Sequence, residues 1–227
     1  MHETKILAAL RENYGRCTSY EDVGTVGGAL IINDSKEELS SEFSTIFIRP
    51  NLLKFVMKSS GRQSTLQADG ESIRQIYTNE NSQDGVSVYP TLSDAISTTR
   101  GVTFGVLSVL FGLLDSSIDD YYEALSNLER LPDAVIDDKE CYCISGKFKE
   151  VGIVTIWVQK ESNVLRRIQE STNEEAIKMA MEMSRLLAEA EGEDPAESLK
   201  YLPSACTTTI DFKRVTFNNS ITIDAIG

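Results

Sequence analysis

The stretch from Glu42 to Tyr77 constrains the fold more than any other part of the chain. Apolar and polar residues alternate along it, and the runs are separated by Arg49-Pro50-Asn51, Ser60-Gly61 and Asp69-Gly70. Proline cannot donate a hydrogen bond to a sheet ladder, and Asp-Gly between alternating runs is a strong hairpin signal. The stretch therefore predicts an antiparallel meander of four short strands.

One face of this predicted meander carries large apolar side chains. Successive side chains of a strand point to opposite faces, and this alternation places on one face Phe43, Phe47, Phe55 and Met57. A face of this kind has to be covered by another layer of the protein. The function depends on which segment or ligand covers this apolar face.

The segments beside the meander predict one helix, one long strand and two loops. Ile6, Leu7 and Leu10 share a face in an amphipathic helix over Glu3 to Tyr14. A long first strand follows from Thr18 to Ile32, and its glycines indicate bending. The polar stretches 33–40 and 79–85 are expected to be loops.

The most hydrophobic segment runs from Gly101 to Asp115. It is too short to span a bilayer and predicts a helix packed on the apolar face of the meander, with contacts from Leu107, Leu110, Phe111 and Leu114. Glycines within the segment weaken a helix, which suits an element that moves. We expect one helix before it, capped by Thr91 or Ser93, and another over Ile118 to Leu128.

The second half of the chain predicts more hairpins and one charged helix. A hairpin over 134–149 turns at Asp137-Asp138, and a second pair of strands covers 151–159 and 164–170. A methionine-bearing helix spans 174–189, and its methionines are interpreted as packing residues. A closing hairpin is expected over 207–226. With no repeat and no long linker, the chain is predicted to be one domain, residues 1–227.

Composition excludes several classes of partner. A net charge of −13 and a pI near 4.6 argue against nucleic acid and against electrostatic docking on an anionic membrane. No apolar run reaches the roughly 18 residues of a membrane span, and no signal peptide is visible. We therefore expect a protein that binds no nucleic acid and does not span a membrane.

The residues needed for catalysis or metal binding are scarce. His2 is the only histidine, so a serine or cysteine nucleophile would lack a histidine base. The sequence contains no phosphate-binding or dinucleotide-binding motif, and the paired carboxylates are typical of solvated turns. The cysteines are expected to be buried apolar residues or to form one disulfide; they are Cys17, Cys141, Cys143 and Cys206. We expect no enzyme, no metal and no cofactor.

Several local motifs, in their order along the chain, resemble a known family. The motifs are Ser19–Val26, FIRPNLLKF within 43–55, Leu66–Gly70, Lys139–Gly146, Thr155–Val158 and Leu165–Ile168. Together they resemble the lipoprotein-localisation carriers of the bacterial envelope (LolA- and LolB-like proteins), and in particular a wider group of predicted periplasmic proteins. The resemblance extends from Tyr14 to Glu170. The helix near 173–200 departs from it and reads as an insertion.

The resemblance implies an α+β fold, in which a strongly curved antiparallel sheet forms a half-open barrel and helices cover its concave face. It also implies a periplasmic or envelope location and acyl chains in the hollow. By the same resemblance, Arg49 would hold the helical lid. The expected ligand contacts are Phe43, Phe47, Arg49, Phe55, Met57, Leu107, Leu110, Phe111, Leu114 and Trp157.

Three functions follow as hypotheses, of which the third, a hydrolase or other enzyme, has the least support from the residues. In the first, the protein is a carrier or sensor that binds a lipid, or the acyl chain of a lipoprotein, in the hollow, because apolar pockets suit such ligands. In the second, the concave face docks an envelope protein and takes no small ligand. An alternative for each apolar residue is that it simply fills a solid core.

Overall fold

A computed structural model of the protein describes residues 1–32, 35–79, 82–119, 121–148, 152–172, 174–191 and 205–220. The helices of these residues are α1 (Glu3–Gly15), α2 (Leu92–Thr99), α3 (Val106–Leu114) and α4 (Glu174–Glu191). The first six strands are β1 (Ser19–Ile32), β2 (Ser35–Ile48), β3 (Leu52–Ser59), β4 (Arg62–Asp69), β5 (Ile73–Asn79) and β6 (Ser82–Tyr89). The remaining strands are β7 (Leu125–Ile136), β8 (Lys139–Phe148), β9 (Gly152–Gln159), β10 (Leu165–Thr172) and β11 (Ala205–Phe217).

The eleven strands of the described residues form one antiparallel sheet, in the order β6-β5-β4-β3-β2-β1-β11-β10-β9-β8-β7. Its first half is the predicted meander extended at both ends. The first strand of the chain, β1, lies in the middle of the sheet and pairs with β2 on one side and β11 on the other. The sheet is curved and does not close, which confirms the expected α+β half-barrel.

The core lies between the inner face of the sheet and the helices. All nine residues of α3 are buried, as expected for the most apolar segment of the chain. α1 buries Ile6, Leu7, Leu10 and Tyr14 on one stripe, and α2 buries Leu92, Ala95, Ile96 and Thr99. This spacing of three and four residues is the helical period that the sequence showed.

The turns explain why the meander was predictable. Gly61 and Gly70 adopt φ of 69° and 93°, conformations that glycine reaches without steric cost. At the second of these turns Asp69 Oδ1 accepts the backbone N–H groups of Glu71 and Ser72. The turn at Asp137-Asp138 is also confirmed, with φ of 47° and 60°, and Thr91 is the N-cap of α2.

Three sequence predictions of element type were wrong. Residues 35–40 are not a loop, because β2 pairs with β1 as far back as Ser35 and its polar side chains face solvent. Residues 82–85 belong to β6, which pairs with β5. The helix expected over 118–128 is absent from its described residues: turns precede β7, and Tyr121 N–H donates to Asp119 Oδ1. The last part of the closing hairpin, 221–226, lies outside the described residues.

Gly24 marks a β-bulge in the pairing of β1 with β11. A Cβ atom at this position would collide with the carbonyl oxygen of Asp211 and with the Phe43 ring. The glycine therefore lets two strands and an aromatic side chain approach more closely than any other residue would allow. The bend predicted from the glycines of β1 is thus located at Gly24.

Replacing Gly24 by alanine is expected to destabilise the fold by about 2 kcal/mol or more, because overpacking a core typically costs ~1–3 kcal/mol. The matched control is Gly28→Ala in the same strand, where the nearest atoms lie 3.9 Å from an added Cβ. Urea unfolding of the two variants measures the difference. Equal midpoints for both variants would contradict the assignment of the bulge.

Candidate functional site

The residues predicted to line the hollow are brought together, but they fill it. Eight of them are at most 3% exposed, namely Phe43, Phe47, Phe55, Met57, Leu107, Leu110, Phe111 and Leu114. The Phe47 and Phe111 rings meet edge to face with centroids 5.3 Å apart. The helix α3 thus occupies the curve of the sheet as part of a packed core.

Trp157 lies on the other face of the sheet. In β9 it alternates with Val154, Ile156 and Val158, which belong to the core. The guanidinium carbon of Arg167 lies 5.9 Å from the Trp157 ring centroid. The structure therefore does not bring Trp157 to the hollow.

Arg49 joins the ends of two helices. Its Nε donates to the Cys17 carbonyl oxygen at 2.7 Å, and its Nη2 donates to the carbonyl oxygens of Gly15, at 3.1 Å, and Leu114. The last carbonyl groups of a helix have no partner within the helix, so one planar guanidinium satisfies groups at the C-terminal ends of α1 and α3. Arg49 therefore ties the end of α3 to the segment that follows α1.

An open cavity of about 560 Å³ lies where the hollow meets solvent; we call it the mouth cavity. Its lining residues come from β2 to β6 and from the connection between α2 and α3. They are Leu39, Met57, Ser59, Arg62, Gln63, Ser64, Tyr77, Thr78, Asn79, Gly85 and Val102. Leu39 and Val102, at the rim, are 43% and 42% exposed.

The strand register arranges this lining in two rows across the sheet. Ser59 pairs with Arg62, and Arg62 pairs with Asn79, which makes a polar outer row. The next row inward consists of Met57, Ser64, Tyr77 and Gly85, which pair in that order. On the side formed by the sheet, the cavity is therefore polar in its outer row, whereas the rim residues Leu39 and Val102 are apolar.

Behind the second row, a buried hydrogen-bond network fixes the inner surface of the sheet. Gln75 Nε2 donates to Ser64 Oγ at 3.0 Å, and the Tyr89 hydroxyl donates to Gln75 Oε1 at 2.8 Å. Buried polar groups with partners stiffen a site. This side of the mouth cavity is therefore preformed.

Of the predicted contact residues, Met57 alone is in the lining of the mouth cavity. Leu39 was missed because its segment was read as a loop. Arg62 and Tyr77 could have been found by continuing the alternation from Met57 through the turns at Ser60-Gly61 and Asp69-Gly70. Val102 carries no comparable sequence signal, because a tertiary contact places it.

Asp22 is a buried carboxylic acid in the core beside the hollow. The Tyr20 hydroxyl donates to its Oδ2 at 2.6 Å. Burial raises the pKa of Asp22 to about 7, since the charged form loses its hydration. The folded protein therefore holds a proton here at pH values where an exposed aspartate is ionised.

The cysteines are all free thiols. Cys17, Cys141 and Cys143 are buried, and burial raises the pKa of each of these three thiols. Of the two expectations for the cysteines, the structure favours small buried residues over a disulfide. Among the described residues, no group of three or more His, Cys, Asp or Glu side chains is placed to hold a metal ion.

The fold is an open half-barrel with a cavity at one end. The family model described as "Predicted periplasmic protein (DUF2092)" matches residues 29–189. The chain belongs to this family, which confirms the expected periplasmic or envelope location. No curated protein sequence matches the chain, and no helix within the described residues has the length and hydrophobicity to cross a membrane.

Several solved structures are similar to this chain. The lipoprotein LppX of Mycobacterium tuberculosis is 16% identical with a TM-score of 0.49, over 98% of this chain and 100% of LppX. A LolA superfamily protein from Nitrosomonas europaea is 10% identical with a TM-score of 0.35, over 100% of this chain and 98% of that one. In the MucA/MucB complex of Pseudomonas aeruginosa, the matched chain is 9% identical with a TM-score of 0.40, over 99% of this chain and 60% of that one.

Replacing Arg49 by glutamine is expected to loosen α3, because the carbonyl oxygens of Gly15, Cys17 and Leu114 lose a charged donor. Hydrogen bonds to charged groups are worth roughly 1.5–3 kcal/mol, so amide hydrogen exchange in α3 should become at least tenfold faster. Arg49→Lys should be intermediate, because lysine keeps the charge and lacks the planar fork.

The control for the Arg49 variants is Arg16→Ala, which removes an exposed ion pair with Glu12. Surface pairs of this kind contribute roughly 1 kcal/mol or less, so α3 should keep its exchange protection. Unchanged exchange in Arg49→Gln would show that the guanidinium does not hold the helix.

Asp22 should make the folded state less stable as the pH rises. Its pKa is about 7 when folded and about 4 in an unfolded chain, so between these values the folded state binds more protons. Stability should therefore fall from pH 4 to pH 7 and stay reduced above it. Asp22→Asn should abolish this slope and stabilise the protein at pH 8 by at most ~4 kcal/mol.

Asp69→Asn provides a comparison of opposite sign. Backbone N–H groups of Ser72 and Glu71 hold the pKa of the Asp69 carboxyl well below its usual range. The ionised Asp69 carboxylate therefore stabilises the folded state at neutral pH, and this contribution is lost only at acidic pH. Urea unfolding at a series of pH values separates the two residues. The same slope between pH 4 and pH 7 in Asp22→Asn and wild type would contradict the assignment.

Proposed function

We propose that this protein is a non-catalytic periplasmic binding protein that takes a hydrophobic ligand, a lipid or the acyl chain of a lipoprotein, as a carrier or sensor. The observation that carries the proposal is the mouth cavity on the concave face. Its volume of about 560 Å³ lies within the ~300–1,000 Å³ of small-molecule sites. Its surface combines an apolar part with a few polar groups.

Burial of the ligand's acyl chain supplies binding affinity without any catalytic group. Each methylene transferred from water to an apolar site contributes about 0.8 kcal/mol. Leu39, Met57, Tyr77 and Val102 provide the apolar surface of the mouth cavity. A ligand with a single chain therefore gains most of its affinity from hydrophobic burial.

A longer or branched ligand requires α3 to move. The hollow beyond Met57 is filled by α3 and by the aromatic side chains of the sheet. In this proposal Arg49 is the latch, and the predicted contacts such as Phe47, Leu110 and Phe111 meet the ligand only after α3 is displaced. The left-handed conformation of Gly105, with φ of 75°, precedes α3 and gives it a sharp start at one end.

Docking of a protein partner on the concave face is the second hypothesis. In the present conformation α3 occupies that face, so a partner segment would also have to displace it. The mouth cavity, in contrast, is open without any rearrangement. The small-ligand function is therefore the one that the geometry supports best.

The test compares rim variants of the mouth cavity. Leu39→Asp and Val102→Asp place a carboxylate among apolar contacts and should weaken binding of monohexadecanoylglycerol, a neutral single-chain lipid, by about tenfold or more. Both positions are already partly exposed, so the fold should tolerate the change. Native mass spectrometry of detergent-free protein and displacement of a fluorescent fatty-chain probe measure the affinity.

The matched control is Val88→Asp. Val88 is 69% exposed, and the alternation of β6 places it on the opposite face from Gly85. This variant should bind the lipid as wild type does. Absence of any lipid binding by the wild-type protein would reject the proposal and leave protein docking as the function to pursue.

A further inference from the structure

Arg62 stands at the edge of the mouth cavity, and its role goes beyond apolar burial. It is the first residue of β4 and belongs to the polar outer row, between Ser59 and Asn79. Its side chain shares the inner face with Ser64, which is buried. We propose that the mouth cavity binds a single-chain amphiphile with an anionic head group, a carboxylate or a phosphate, and that Arg62 holds this head group.

The charge environment of Arg62 supports an external anion. Arg62 forms no ion pair with the described residues, whereas Arg74 on the neighbouring strand pairs with Asp69 at 2.9 Å. None of the described residues that line the mouth cavity is acidic. In a chain of net charge −13, a cavity edge with a guanidinium and with no carboxylate among its described lining residues is a local site for a negative group.

The hydrogen-bonding groups near Arg62 match an oxyanion. A guanidinium presents a planar fork that binds a carboxylate or phosphate through two N–H groups. The side-chain amide of Asn79 and the Tyr77 hydroxyl, both in the lining, are further donors. Arg62 and Asn79 lie in the outer row and Tyr77 in the next row inward. A head group beside Arg62 would therefore lie in the same part of the cavity as the other two donors.

The order of the rows sets the orientation of the ligand. With the head group of the ligand at the outer row, its alkyl chain points inward over the Tyr77 ring to Met57. Met57 is 3% exposed and adjoins the core aromatics Phe43 and Phe55. Methionine side chains are flexible, so the Met57 side chain can adjust to the end of the alkyl chain at the inner end of the cavity.

This inference rests on the proposed function and deepens it, so its test uses three probes with the same chain and different head groups. The probes are hexadecanoate, hexadecyl phosphate and the neutral monohexadecanoylglycerol. The variant is Arg62→Gln, and the matched control is Lys58→Gln, which removes one positive charge from the outer face of β3. Dissociation constants are measured by probe displacement at low and moderate salt.

We expect wild type to bind the two anionic probes more tightly than the neutral one. Arg62→Gln should weaken binding of the anionic probes by about tenfold and leave the neutral probe unchanged, while Lys58→Gln should change none of them. Whichever of carboxylate and phosphate binds more tightly identifies the head group. Added salt should reduce the anionic affinities of wild type and have little effect in Arg62→Gln.

Three results would overturn the inference, and they are distinguishable. Equal affinity for all three probes, unaffected by Arg62→Gln, rejects the anionic head group and leaves the proposed function intact. Failure of wild type to bind any of the probes rejects both. Equal losses in Arg62→Gln and Lys58→Gln would show a general charge effect and would also reject the role of Arg62.

Discussion

The burial of α3 is the constraint on which the rest of the structure depends. All nine of its residues are buried, and a segment this apolar requires a concave surface that can surround it. The half-barrel supplies that surface through its aromatic inner face. Arg49 binds the carbonyl group at the end of α3, and Gly112 lets the Tyr121 and Tyr122 side chains pack against the helix without a clash. The aromatic inner face, the hydrogen bond from Arg49 and the close packing at Gly112 all meet at one buried helix.

The same burial determines where the concave face leaves open space. Because α3 fills the centre of the hollow, free space remains where the inner face of β2 to β6 extends beyond the helix. There the side chains change from the phenyl rings of Phe43 and Phe55 to Met57, and then to the polar row that contains Arg62. Because α3 and the aromatic side chains of the sheet fill the centre, eight of the residues predicted as ligand contacts are core residues.

The sequence predicted the elements whose signals are local. The meander follows from alternation and from turn residues a few positions apart, and α3 follows from its composition. The positions of Trp157 and Leu39 were harder to predict, for physical reasons. The face that Trp157 occupies depends on pairing with β10, where the register shifts between Leu165 and Arg167. Leu39 lies in a polar stretch that becomes a strand only because β1 is beside it. The single domain over residues 1–227 stays a prediction.

The position of β11 has a consequence for how the chain reaches this structure. β11 lies between β1 and β10, so Tyr20 pairs with Phe217, and the sheet is two separate parts until that strand is inserted. Such distant pairing makes folding slow, because the entropy of closing a long loop is lost before the contacts form. During synthesis, the long first strand has one unpaired edge, and exposed edges of this kind bind other chains. The half-barrel therefore depends on late insertion of a central strand, and its period of greatest risk of aggregation is the interval before β11 arrives.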